Sequence, residues 1–203
     1  MGYKIGLVGT HGTGKTALGA LVSGELKRRN IEVRQVTEIA TVAKEKGLPI
    51  NENTTIEAQL YILHKQFAQE LEYSHDKVNG SKYDVIICDR GPDNYCYLEN
   101  AVGKSDYALQ MTLGHLEIAP YTQLYLLPIV ESVIQKGAGV RAMDKSFQED
   151  MDSKIRGFFS NNNIQYQELP IPKKNDSLRQ EWVRIIVNQT LNDLGKDQNL
   201  FMR

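Results

Sequence analysis

Short apolar runs recur along this chain, separated by longer stretches of helical periodicity. The runs are residues 3–8 (YKIGLV), 32–37 (EVRQVT), 84–89 (DVIICD), 121–127 (YTQLYLL) and 164–169 (IQYQEL). Their length and β-branched content predict five strands. Between them, residues 15–30 carry apolar side chains at Leu18, Leu21, Val22 and Leu26. Residues 55–78 carry Ile56, Leu60, Leu63, Phe67 and Leu71, one face of a helix. Residues 93–102, 105–118, 146–160 and 177–194 also read as helices. Strands alternating with helices predict an α/β fold, a parallel sheet covered on both faces. The first and third runs are nearly continuous in apolar residues, as central strands are.

Composition narrows the class without changing that picture. The 203 residues are 41% hydrophobic and 24% charged, the balance of an ordinary globular domain. There are 24 basic and 25 acidic residues, a net charge of −1. No general positive field draws in a polyanion, so no nucleic acid partner is expected. Lys27-Arg28-Arg29 ends a helix and complements its dipole. Two cysteines, Cys88 and Cys96, have neither disulfide-framework nor zinc spacing. The longest apolar stretch, residues 124–130, is too short to span a bilayer, and the N-terminus has no signal pattern. The expectation is one cytoplasmic domain over residues 1–203, with 160–163 and 170–176 as loops.

Residues 9–16 read Gly-Thr-His-Gly-Thr-Gly-Lys-Thr, the G-x-x-x-x-G-K-[ST] pattern between a strand and a helix. Glycines let the backbone curl so that its N–H groups converge on phosphate oxygens, and the helix N-terminus adds a positive dipole end. The loop residues Gly9, Thr10, His11, Gly12, Thr13, Gly14, Lys15, Thr16 and Ala17 are the candidates for holding a nucleotide. Lys15 reaches the β and γ phosphates, and the Thr16 hydroxyl ligates Mg²⁺. The position of His11 uses only its backbone. The third run ends in Asp89, placed to orient Mg²⁺ or its waters. Asp93, beside Pro92 at a helix start, is the better helix cap.

The base-reading and switch motifs of G-proteins are missing: Lys173-Lys-Asn-Asp176 and Asp89-Arg-Gly-Pro92 match neither. Ring ATPases and RecA-like motors carry further domains. Small kinases remain. Four segments carry a resemblance: GTHGTGKT at 9–16, Thr37-Glu38, Asp89-Arg90-Gly-Pro-Asp93, and Gly139-Val-Arg141 with Asp144. Across roughly residues 3–191 the chain resembles P-loop small-molecule kinases, above all the nicotinamide riboside kinase branch of NadR-type proteins, and nucleoside and nucleotide kinases. The resemblance implies a three-layer P-loop sandwich with strand order 2-3-1-4-5. It implies Glu38 as general base toward an acceptor hydroxyl, Arg90 on the acceptor or its phosphate, and Arg141 in a lid spanning about 136–146. Arginine suits a planar, many-oxygen target, and Lys136-Gly137-Ala138-Gly139 supplies hinges. Lys15, Glu38, Asp89, Arg90 and Arg141 form the implied catalytic set. The kinases named usually place a polar anchor soon after the glutamate; here Glu38 is followed by Ile39-Ala-Thr-Val-Ala43, and the acceptor stays open.

Other side chains have plainer readings. Arg90 also has Glu38 or Asp93 as a structural ion-pair partner. Arg156 pairs with Asp152 at i,i+4. Tyr95 and Tyr97 stack on a ring or fill core. Gln59 and Gln66 line an acceptor pocket or, more ordinarily, a solvated helix face. His64, His75 and His115 have no metal spacing. The functional expectation is ATP- and Mg²⁺-dependent phosphoryl transfer to a nucleoside, nucleotide or pyridine riboside. The alternatives are a nucleotide-binding regulatory module acting through a protein partner, and a polynucleotide 5′-kinase, which the charge disfavours.

Overall fold

The computed structural model describes residues 2–36, 39–50, 53–75, 83–130, 145–171 and 178–196. Five strands form one parallel sheet: β1 (Tyr3–Val8), β2 (Val33–Val36), β3 (Val85–Cys88), β4 (Gln123–Leu126) and β5 (Gln167–Glu168). Their order is β2-β3-β1-β4-β5, as the resemblance implies. The helices are α1 (Lys15–Lys27), α2 (Ile39–Glu45), α3 (Ile56–His75), α4 (Asn94–Val102), α5 (Asp106–Ile118), α6 (Lys145–Asn161) and α7 (Leu178–Asp193). The strand α2 follows was expected, but α2 itself was not: seven residues give too few turns for a periodic signal. β5 is only two residues long, because after Glu168 the edge strand has no further partner than the end of β4.

Strand alternation sorts the core into two layers. On one face Tyr3, Ile5 and Leu7 pack with Leu18, Val22 and Leu26 of α1 and with Trp182, Ile186, Val187 and Leu191 of α7. On the other, Val8, Leu124 and Leu126 pack with Leu63 and Phe67 of α3, Tyr95 and Leu98 of α4, and Met151, Ile155 and Phe159 of α6. Burying apolar area on both faces drives the assembly. Caps set the helix starts. Thr55 Oγ1 accepts from the Ala58 amide of α3 at 3.3 Å, and Ser105 Oγ from Ala108 of α5 at 3.3 Å. Leu71 extends the apolar periodicity of α3 but is 36% exposed. Among the described residues, no helix is long and apolar enough to cross a membrane.

Gly6 of β1 is a packing requirement. A Cβ there would lie 2.5 Å from Leu124 Cδ1 and 2.9 Å from the Tyr121 ring. The leucine end could move, but the ring is held by its hydroxyl, which donates to Glu70 at 2.6 Å. Gly6→Ala is expected to destabilise the fold by about 1–3 kcal/mol through overpacking. Urea denaturation of the two proteins measures it, and equal midpoints would contradict the packing argument.

Candidate functional site: a phosphate loop braced by a second loop

β1 and β3 are neighbours, with Gly6 opposite Cys88, so the loops that leave them emerge side by side at the carboxyl end of the sheet. That is where α/β folds place ligands. The first loop turns at Gly9, Gly12 and Gly14, with φ of 134°, 74° and 90°. All lie in the region that favours glycine. A Cβ on Gly9 would come within 3.0 Å of the Leu127 carbonyl. Thr13 Oγ1 donates to the Thr10 carbonyl at 2.9 Å. Lys15 is buried and donates to the carbonyls of Gly9 and Thr10 at 2.8 and 2.6 Å. A positive charge therefore lies inside the curl, beside the opening turn of α1.

Thr16 Oγ1 donates to Asp89 Oδ2 at 2.5 Å. The Asp89 amide donates to the Val36 carbonyl at 2.9 Å, which fixes the acid at the end of β3. Thr16 and Asp89 share a small cleft with Gly19, Gln35, Val36 and Ile87. A hydroxyl and a carboxylate oxygen are hard donors, the set Mg²⁺ accepts while it keeps waters and phosphate oxygens as its other ligands. The residues thus fit a nucleotide-bound Mg²⁺. Among the described residues no group of three or more His, Cys, Asp or Glu is placed to hold a metal ion.

The second loop is Asp89-Arg90-Gly91-Pro92-Asp93. Asp93 is fully buried and does not cap α4; its own φ is −60°, with no side-chain cap bond. Instead Oδ1 accepts from the Gly91 amide at 2.7 Å and Oδ2 from the Gly9 amide at 3.4 Å. Asp93 ties the two loops together, a role the helix-cap expectation missed. Arg90 has φ of 137°, a conformation rare for any residue with a Cβ. Its guanidinium lies 4.1 Å over the Tyr97 ring and 3.8 Å from Asp93 Oδ2. The Tyr97 hydroxyl donates to the Gly9 carbonyl at 3.4 Å, and burial pushes its pKa up, which keeps the proton. Arg90 therefore lies over a ring whose hydroxyl meets the first loop at Gly9. Tyr95, by contrast, is core, packed on Phe158.

α6 reaches the loop from the other side. Gln148 Nε2 donates to the His11 carbonyl at 2.9 Å, and the His11 ring lies 5.1 Å from Phe147. His11 is therefore not incidental: its ring and its backbone both dock on α6. Ala17 sits half-buried in the first turn of α1. Glu38, Arg141 and Thr37, with Gly139 and Asp144, lie outside the described residues, as does the lid segment apart from Lys145 and Ser146.

Beneath the second loop lies a buried polar cluster. Glu70 of α3 has no exposed surface; it accepts from Lys4 Nζ at 2.7 Å, from Tyr121 at 2.6 Å and from Gln66 at 2.8 Å, and lies 2.9 Å from His115 Nε2. Lys4 also donates to the Ala119 carbonyl. Burial alone would push the Glu70 carboxyl up; the bonds from His115 and Lys4 outweigh it and hold the carboxyl below its ordinary value. Gln66, expected on a solvated face, is 2% exposed. Gln59 donates to Thr54 at 2.9 Å. Cys88 and Cys96 are both buried free thiols, pushed up by burial and unsuited to nucleophilic work. Arg156 pairs with Asp152 as the spacing predicts, and also with Glu168 of β5. A cleft of about 490 Å³ lies between Leu113, Tyr121 and Ile164, by the turn that leads into β4.

A family model described as AAA domain matches residues 4–176, most of the chain. The chain belongs to this family. No curated protein matches the sequence. Solved structures do match this AAA domain. A deoxyadenosine kinase from M. mycoides, with products dCMP and a flexible dCDP bound, aligns at TM-score 0.61 and 17% identity, covering 94% of this chain and 99% of that one. A NadR protein in complex with NR aligns at TM-score 0.70 and 14% identity, covering 97% of this chain. A NadR protein in complex with NAD and AMP-PNP aligns at 0.69 and 11%, covering 93%. The AAA domain spans about half of the NadR chains, 52% and 49%. These likenesses show a P-loop NTPase-like fold. Asp93 and Gln66 are the site residues that sequence reasoning misplaced. The helical spacing of Leu63, Gln66, Phe67 and Glu70 was a usable signal for the second, because it puts all four on one buried face.

Two outcomes follow from this geometry. Arg90→Gly and Arg90→Ala both remove the guanidinium, but only alanine keeps a Cβ at positive φ. The glycine variant is expected to be the more stable by about 1–2 kcal/mol in urea unfolding; the reverse order would remove the strain. For Glu70, a native pKa below the unfolded one contributes stability present above about pH 4.5 and lost as pH falls through the native value. Once the acid is protonated in both states it resembles glutamine. The stability gap between the parent and Glu70→Gln is therefore expected to narrow on acidification, and a gap constant down to pH 3 would contradict it.

Proposed function

We propose that this protein is a kinase that transfers the γ-phosphoryl group of ATP, with Mg²⁺, to a small acceptor: a nucleoside, nucleotide or pyridine riboside. The observation that carries the reading is the Thr16–Asp89 contact at 2.5 Å across the mouth of a glycine loop that encloses Lys15. Bound Mg²⁺ would neutralise charge on the β and γ phosphates. Loop amides from Thr10 to Ala17 would bind phosphate oxygens, while the Gly9 amide stays on Asp93. The Lys15 ammonium would exchange its bonds to the loop carbonyls for bonds to phosphate, and the Thr16 and Asp89 oxygens would turn to the cation. Arg90, held over Tyr97 beside Gly9, would face charge that develops on the transferring group. Glu38 would take the acceptor proton, and Arg141 would close over the site from a lid at 136–146 within a single cytoplasmic domain. Phosphoryl transfer needs positioning and charge neutralisation more than covalent chemistry, and this site supplies both.

The test is transfer of label from γ-labelled ATP to a panel of nucleosides, mononucleotides, nicotinamide riboside and short oligonucleotides. Lys15→Ala runs beside the parent. A labelled small molecule is expected, lowered about 100- to 1,000-fold or more in the variant. Phosphate release without any labelled acceptor would favour a regulatory module that works through a protein partner. Equal rates in parent and variant would overturn the site.

A further inference from the structure

Arg90 pairs an unfavourable backbone angle with a functional side chain, so something must hold it there. Asp93 holds the amide of Gly91. The two carbonyls of the turn are met from α3. Gln66 Nε2 lies 3.3 Å from the Arg90 carbonyl and 3.5 Å from that of Gly91. Its other hydrogen goes to Glu70 Oε1 at 2.8 Å, and its own carbonyl accepts from Asn94 Nδ2 at the start of α4. One buried amide thus joins α3, the Arg90 turn and α4. Glu70 anchors it to Lys4 in β1 and His115 in α5.

We propose that Gln66 is the positioning residue for Arg90, carrying the rigidity of the Glu70 cluster into the arginine turn. Gln66 itself does not touch substrate: it is buried, and all its polar atoms face protein. Its single hydrogen toward the turn spans two carbonyls on consecutive residues, which holds the peptide planes on either side of Gly91, the first of them the plane that leaves Arg90. This deepens the kinase reading and rests on it for its activity arm.

The experiment is a double-mutant cycle. Gln66→Met conserves volume and removes both the donor and the acceptor. Label transfer in Gln66→Met is expected to fall about 10- to 100-fold in kcat/KM, the scale of a small misplacement, while ATP binding measured separately stays within about twofold. In an Arg90→Ala background the same change is expected to cost less than about twofold, because its effect passes through Arg90. Equal losses in both backgrounds would overturn the proposal and leave Gln66 a stability residue. Gln66→Asn keeps the amide but shortens its reach, and is expected to show the same pattern if the methionine variant does not fold. A second readout needs no activity. Amide exchange across residues 89–94 is expected to quicken in Gln66→Met, while exchange in α1 stays unchanged. If the parent labels no acceptor, the kinase reading fails and the exchange result still decides the positioning role. Unchanged exchange at 89–94 would sink it.

Discussion

The site depends on one adjacency. β3 lies directly against β1, parallel and in register, so the loop after Val8 and the loop after Cys88 leave the sheet side by side. Only then can Asp93 accept from the amides of both Gly9 and Gly91, and only then can Asp89 meet Thr16. A buried carboxylate with two amide donors is a strong tie, since its bonds are charge-assisted and its desolvation would otherwise be uncompensated. The two loops thereby behave as one body. The lysine and the arginine reach a common region from different strands because the carboxylate leaves their backbones no independent freedom.

The Glu70 cluster carries a cost that packing alone would avoid. Lys4 and Glu70 are both nearly or fully out of water, and such pairs are often replaceable by apolar residues without loss of stability. Their presence in the central strand and the longest helix is better explained by geometry. Four polar groups from β1, α3, α5 and the turn before β4 meet at one carboxyl, and each bond has a direction that an apolar contact lacks. Gly6 belongs to the same device, since it clears the space the Tyr121 ring occupies on its way to Glu70.

Legibility in the sequence follows distance along the chain. The phosphate loop is eight contiguous residues whose types are fixed by local backbone needs, so it could be read directly. Strands β1 and β3 were legible because burial on both faces removes polar alternation. The role of Asp93 was not: its position beside Pro92 is equally suited to a cap, and only the neighbouring strand supplies the Gly9 amide. Gln66 was misread, and Glu70 passed over, because polar residues are ordinarily solvated. The partners of Glu70, Lys4 and His115, sit 66 and 45 residues away from it. A lysine inside the apolar run YKIGLV was a further hint beside the helical spacing of α3, since a buried ammonium requires a carboxylate.

Strain and support at Arg90 explain each other. Glycine would adopt φ of 137° without penalty, yet the chain has arginine there, followed by a glycine that would have suited the angle. Gly91 is needed for a different reason, because a Cβ on it would come within 2.8 Å of Val8 Cγ1. The turn therefore presses against the end of β1 at Gly91, and the preceding residue absorbs the backbone twist. Moving the arginine one place would relieve the strain and lose the aim, since the side chain would meet Val8 rather than Tyr97. The fold keeps the guanidinium over Tyr97 at the expense of backbone ease, and the buried contacts of Asp93 and Gln66 are what make that arrangement stable.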